Sequence, residues 1–128
     1  MPTTSNRFSD DLQRLRDLLL EMGVATEEMV GDAIRALVGS DLGLADAVLK
    51  REALIDRLDL DIETLCLHLM ARRISASADR RLIGTALKIV TDMERIAGHA
   101  IDIARIVQRM SGEVIYKPLV DIPRLGEI

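Results

Sequence analysis

Four carboxylates with helical spacing form the sharpest polar pattern in this sequence. Glu52, Asp56, Asp59 and Glu63 follow one another at intervals of four, three and four residues, which places all four on one face of a helix. Like charges so spaced repel by about a few tenths of a kcal/mol per pair unless something neutralises them. The row is typical either of a solvated acidic face or of carboxylates that hold a metal ion beside a bundle core.

The two histidines and the single cysteine give weaker signals. His99 could serve a histidine phosphotransfer module, but such modules usually carry Lys where this chain has Asp102, and a negative charge there opposes an incoming phosphoryl group. His68 is interpreted as structural, and Cys66 as a buried, inert thiol because no cation neighbours it in sequence. We therefore assign no catalytic and no cofactor-binding residue.

Enzymatic chemistry has no other candidate. The sequence contains no glycine-rich phosphate loop, no H-E-x-x-H or C-x-x-C motif and no nucleophile elbow. The alternatives to a non-enzymatic interaction module are phosphotransfer through His99 and a small helical enzyme with converging cations. Asp102 disfavours the first, and the scattered positions of Lys88, Arg95 and Arg105 disfavour the second.

Composition restricts the class of protein further. The 128 residues suffice for one domain. The net charge of −4 and the aromatic content of 2% exclude a basic, base-stacking nucleic-acid surface. No stretch approaches the roughly 20 apolar residues of a membrane span, and the polar N-terminus lacks an apolar signal core. These features predict a cytoplasmic protein with no membrane insertion and no nucleic-acid partner.

Hydrophobic residues recur every three or four positions in three segments, and no segment alternates with period two. The predicted core positions are Phe8, Leu12, Leu15, Leu19, Met22, Met29 and Leu37, then Ile55, Leu58, Ile62, Leu65 and Leu69, then Leu82, Ala86, Ile89, Met93, Ile96, Ala100, Ile103, Val107 and Met110. Gly39 is predicted to end the first helix, Ser40 or Asp41 to cap the second, and Ser111–Gly112 to end the third.

The pattern predicts an all-α, antiparallel three-helix bundle with helices of about 30 residues, because the connections are short. The predicted domain spans residues 1–111, and residues 112–128 are interpreted as a linker and possible start of a further helix.

Apolar residues also lie away from the predicted core stripes. They are Leu54, Leu60 and Leu67 in the second helix and Ile83, Leu87, Ile101 and Ile106 in the third. Large exposed apolar patches usually mark an interface. We expect a homodimer that buries Leu54, Leu60, Leu67, Ile101 and Ile106 between the chains.

The run Lys88–Ala100, KIVTDMERIAGHA, resembles the third-helix signature of the PhoU family of phosphate-uptake regulators. Glu52-x-x-Ile55-Asp56 is similar to an acidic motif of the family, and Lys117–Arg124 to its link into a second three-helix repeat. The resemblance extends from about Leu12 to Pro123 and implies one repeat of a two-repeat protein.

The resemblance also implies a function. Family members restrain phosphate import and phosphate-starvation signalling, as adaptors between the ATPase of a phosphate ABC transporter and a sensor histidine kinase. Some bind iron or zinc through paired acidic motifs, which here implies Glu52, Asp56 and Glu94 as ligands. The second motif is incomplete, because Gly98 stands where the family usually has Asp.

Overall fold

The computed structural model describes residues 4–72 and 76–116. Its helices are α1 (Thr4–Gly39), α2 (Leu42–Lys50), α3 (Glu52–Met70) and α4 (Ser77–Tyr116). Since only one residue separates α2 from α3, the two together form the middle member of a three-helix bundle, and the predicted all-α fold is confirmed. No helix in these two ranges is long and apolar enough to cross a membrane.

The turn between α1 and α2 follows from local sequence. The N–H of Asp41 donates to the carbonyl of Ala36 at 2.9 Å, and Ser40 has a φ of 50°, an arrangement that ends helices in a left-handed residue. The helix ends at Gly39, as predicted, and Ser40 is the left-handed residue that follows it. The Asp41 carboxylate accepts from the N–H of Leu44 at 3.1 Å, which confirms it as the cap of α2.

The predicted second helix is divided at Arg51, which the periodicity did not indicate. The Arg51 N–H donates to the carbonyl of Val48 at 3.1 Å, so the helix tightens locally into a three-residue turn. The Arg51 guanidinium meets α1, where Nη1 lies 3.1 Å from Asp32 Oδ2 and Nη2 lies 3.7 Å from Glu28 Oε2. The division therefore coincides with a tertiary ion-pair contact rather than with a Gly or Pro.

The predicted core of the first two helical segments is largely confirmed. Leu12, Leu15, Met22, Met29, Ile55, Leu58, Ile62 and Leu69 are buried, while Phe8, Leu19 and Leu65 are half-buried. Leu37 is 43% exposed and was wrongly placed in the core. The 3.6-residue period thus located the inward stripes of α1 and α3 correctly along most of their length.

The core stripe of α4 differs from the predicted one. Ile89 and Ile96 are 39% and 45% exposed, whereas Val90 and Ala97 are buried. The buried side of α4 consists of Ile83, Ala86, Val90, Ala97, Ala100, Ile101, Ala104 and Val107. Its small residues Ala97, Ala100 and Ala104 allow neighbouring helices to approach closely, and Ile89 and Ile96 lie at the edge.

Two residues that were predicted to lie away from the core stripe belong to the bundle's own core. Ile83 is 1% exposed and Ile101 is 6% exposed, because the core stripe of α4 includes both. Leu87 is half-buried. Leu54, Leu60, Leu67 and Ile106 are exposed at the surface of this chain, so only Ile101 is excluded from the predicted dimer contact.

The last helix is longer than predicted. It passes through Ser111 and Gly112 and extends to Tyr116, so the predicted helix end is wrong. One Gly costs a helix only about 1 kcal/mol, which a 40-residue helix tolerates. The linker had been assigned to residues 112–128, and it stays a prediction for residues 117–128, which lie outside the described ranges.

Candidate functional site

The acidic row of α3 lies beside α4, and two contacts define the register between these antiparallel helices. At one end, Glu52 Oε2 lies 3.6 Å from Arg105 Nη2. Further along α3, Asp59 lies against Glu94. Between these two contacts, Asp56 falls opposite the part of α4 that contains Gly98.

Asp59 has the most perturbed carboxyl group at this site. Burial, followed by the proximity of Glu94, raises its pKa to about 6, although Glu63 acts in the opposite direction. One oxygen, Asp59 Oδ1, is buried without a hydrogen-bond partner. Two carboxyl groups that face each other favour a protonated form of one of them, so Asp59 keeps its proton up to about pH 6.

Because of this contact, we expect the free energy of unfolding to depend on pH. When folding raises the pKa of a carboxyl group, that group does not lower the free energy of unfolding at pH values below its pKa in the unfolded chain. Stability is lost as pH rises through the interval from about 3.8 to about 6. We expect Asp59→Asn to raise the free energy of unfolding by about 1 kcal/mol at about pH 7.5 and by little at about pH 4. Urea unfolding of both proteins at each pH measures the difference.

Asp92→Asn is the matched control, because it removes an exposed carboxylate from α4. Its effect on the free energy of unfolding should be small at both pH values. If Asp59→Asn stabilises the protein equally at both pH values, the Asp59–Glu94 contact is not the cause.

The three predicted metal ligands are not gathered into one cluster. Glu52 faces Arg105, Asp56 is exposed, and Glu94 faces Asp59. Within residues 4–72 and 76–116, no group of three or more His, Cys, Asp or Glu side chains could hold a metal ion. The predicted ligand set omitted Asp59, although its position in the four-carboxylate row was the signal that could have identified it.

The cysteine and the two histidines lie in different environments. Cys66 is buried, and burial together with the nearby Glu63 raises the pKa of its thiol, as expected of an unreactive cysteine. His68 is exposed, with Nε2 3.1 Å from Arg72 Nη2. Arg72 also ties α1 to the end of α3, since its Nη2 lies 2.8 Å from Asp11 Oδ2. His99 is exposed on α4.

Comparison with known proteins identifies the relatives of this bundle. A family model described as "PhoU domain" matches residues 19–107. The chain is 36% identical over 124 residues to the phosphate-specific transport system accessory protein PhoU homolog of Clostridium acetobutylicum. The match covers 96% of this chain and 57% of that protein. It is 40% identical over 101 residues to the homolog of the same name from Pseudomonas putida, covering 79% of this chain and 40% of the other.

A solved structure has a similar fold. The crystal structure of PhoU from Pseudomonas aeruginosa superimposes with a TM-score of 0.79 at 37% sequence identity, covering 83% of this chain and 51% of that one. The chain spans about half the length of the curated relatives it matches. From the matched residues and the shared bundle, the chain belongs to the PhoU family.

Proposed function

We propose that this chain is a non-enzymatic regulator of phosphate uptake and phosphate-starvation signalling. The observation that carries the proposal is its PhoU-domain match over residues 19–107. Relatives that cover nearly the whole chain are named accessory proteins of the phosphate-specific transport system. Control by docking also suits a small helical bundle that presents large apolar side chains, such as Leu60 and Leu67, to solvent.

The proposed partners are the ATPase of a phosphate ABC transporter and a sensor histidine kinase, both met at the cytoplasmic side of the membrane. A homodimer is the proposed form of the chain. The exposed leucines and the net negative charge of α3 support docking to basic partner segments. That helix carries five acidic residues and one Arg, and electrostatic complementarity of this kind speeds association and selects partners.

Complementation tests the proposed function. The chain is expressed in cells that lack their own PhoU-family regulator, beside a full-length relative, and a phosphate-starvation reporter is measured in phosphate-rich medium. We expect the chain to lower the reporter signal. His99→Ala should repress equally well, because no step requires the imidazole. Loss of repression by folded His99→Ala would favour phosphotransfer, and a folded chain that never represses while the relative does would contradict the proposal.

Binding of iron or zinc is a separate proposal. The unpartnered Asp59 Oδ1 beside Glu94 supports it, because clustered carboxylates gain from a cation. The position across from Asp56 is Gly98, which supplies no carboxylate to a metal ion. A Cβ added to Gly98 meets no heavy atom within 4 Å, so a side chain fits there.

We therefore expect Gly98→Asp to bind metal at least about tenfold more tightly than the natural chain, because it adds a carboxylate opposite Asp56. Elemental analysis and competition with a chelator measure this for iron and for zinc. Gly98→Asn is the matched control, since it has nearly the same size without the charge. Equal affinity in Gly98→Asp and Gly98→Asn would contradict the ligand geometry.

A further inference from the structure

A cavity lies between the end of α3 and the beginning of α4. Its volume is about 400 Å³, within the range of about 300–1,000 Å³ that small-molecule sites occupy. The residues that line it are Met70 and Arg72 at and after the end of α3, and Arg80, Ile83, Gly84 and Leu87 of α4. Neither Asp59 nor Glu94 is among them, so the cavity is separate from the acidic site.

One side of α4 provides the apolar wall of the cavity. Ile83, Gly84 and Leu87 follow Arg80 by three, four and seven residues, which places all four on the same side of the helix. Ile83 is buried and Leu87 is half-buried. A Cβ added to Gly84 meets no heavy atom within 4 Å, so the lack of a side chain there leaves part of the cavity open. An apolar group that enters the cavity is removed from water against this wall, which favours binding.

Arg72 lies at the α3 side of the cavity in a fixed position. Its Nη2 lies 2.8 Å from Asp11 Oδ2 and 3.1 Å from His68 Nε2, and its Cζ lies 6.0 Å from the centre of the Phe8 ring. Its Nη1 is buried and has no hydrogen-bond partner in the described part of the chain. Arg72 thus keeps an unused donor, which costs free energy until an acceptor reaches it.

Arg80 gives the cavity its positive charge. It is exposed, and no carboxylate among the described residues lies within ion-pair distance of it. Arg72 contributes less net charge, because Asp11 neutralises it. Arg80 also lies close to the start of α4, where the helix dipole favours an anion, and Asp79 offsets part of this effect. Since the described residues that line the cavity include no Asp or Glu, a negative group there meets two guanidinium groups.

We propose that this cavity binds a small organic oxyanion that carries an aliphatic chain. The chain packs against Ile83, Leu87 and the open space at Gly84, and a carboxylate or phosphate head accepts hydrogen bonds from Arg80 and Arg72. Guanidinium groups pair with both kinds of head through two parallel N–H donors. The concave shape and the volume favour a free small molecule over a protein segment. The proposed docking function does not use this cavity.

Two-dimensional NMR of the labelled chain with octanoate and with octyl phosphate tests the proposal. At least one of them should bind saturably with a Kd of about 1 mM or lower, as ligands of this size can reach, and should shift the amide signals of Gly84 and Leu87. Octylammonium has the same aliphatic chain and the opposite charge. It should bind at least about tenfold more weakly, because Arg80 repels it. The tighter of the two anions distinguishes a carboxylate ligand from a phosphate ligand.

Arg80→Met removes the charge of the cavity and keeps an apolar stem. It should weaken binding of the tighter anion by at least about tenfold. Arg81→Met is the matched control, since Arg81 is exposed and does not line the cavity. It changes the net charge of the chain equally and should change the Kd by less than about twofold, because salt screens a charge outside the contact. Equal weakening by Arg80→Met and Arg81→Met would overturn the proposal.

Gly84→Leu should fill the cavity and raise the Kd by at least about tenfold, because the new side chain takes the place of the ligand's apolar chain. Gly84→Ala is its control. It also removes the unfavourable helix propensity of Gly but adds only a methyl group, so the Kd should change by less than about threefold. Circular dichroism verifies that the variants fold, and Arg80→Met keeps the test valid if Gly84→Leu does not.

Four other results would overturn the proposal. They are no saturable binding of either anion, signal changes that lie only outside the cavity, equal affinity for octylammonium, and an unchanged Kd in a folded Gly84→Leu. Binding of an acidic, leucine-containing peptide without binding of either anion would assign the cavity to a protein partner instead and would overturn it too. None of these measurements depends on phosphate regulation, so failure here leaves the proposed function standing.

Discussion

Ile101→Asp should unfold the bundle, whereas Ile106→Asp should leave it folded. The two isoleucines lie five residues apart on α4, but Ile101 is 6% exposed and Ile106 is 41% exposed. A carboxylate at Ile101 would be buried in an apolar core without a partner, at a cost of several kcal/mol. Since a small domain is stable by only about 5–15 kcal/mol, a loss of about 4 kcal/mol or more removes most of the stability at the lower end of that range.

Circular dichroism and urea unfolding of the two variants measure the difference. Ile106→Asp should lower the free energy of unfolding by less than about 1 kcal/mol, since water can still reach the new charge. In the reporter assay, Ile101→Asp should lose repression because the protein is unfolded. A cooperative, near-normal unfolding transition for Ile101→Asp would contradict its burial and return this residue to the surface.

Arg51→Met should lower the free energy of unfolding by about 2 kcal/mol, between the values for surface and buried ion pairs. The Asp32 carboxylate is only 14% exposed, and without Arg51 it keeps only the largely exposed Arg35. The Arg51 Nη1 contact with Asp32, although 3.1 Å long, is ionic rather than a well-directed hydrogen bond. Met retains the apolar stem of Arg51, so the variant isolates the charge.

Lys50→Met is the control for that change. Lys50 pairs with Asp46 at 3.0 Å, but both side chains are more than half exposed, so the loss should stay below about 0.5 kcal/mol. Asp32→Asn combined with Arg51→Met should cost less than the sum of the single changes, because the two residues interact. Equal effects of Arg51→Met and Lys50→Met on the urea midpoint would show that the Arg51–Asp32 contact contributes no more than a surface pair.

Local sequence determined most of the helical segments and, in α1 and α3, which side faces inward. Met22 and Met29 in α1, like Ile55 and Ile62 in α3, recur with the helical period and are buried. Asp41 caps α2 with its own side chain, a contact between residues three apart. Such features depend on neighbours in sequence, which is why periodicity and capping preferences predict them.

The inward side of α4 was decided only by tertiary structure. Apolar residues occupy so much of its circumference that the period alone does not select one edge. Sequence reasoning favoured Ile89 and Ile96 because they continue the three- and four-residue spacing, whereas the bundle buries Val90 and Ala97. Small residues are preferred at a close helix contact, because larger ones would hold the helices apart. Which residues of α4 are buried therefore depends on the helices that face it, and the spacing of residues within α4 does not predict this.

The acidic site shows the same division between sequence and structure. The four-carboxylate row of α3 is visible in the sequence, but its partners on α4 follow from the register between two antiparallel helices. That register places Glu94 against Asp59 and Arg105 against Glu52, pairs far apart in sequence. Burial at the helix contact then raises the pKa of Asp59, since desolvation is a property of the packed bundle and not of the residue type.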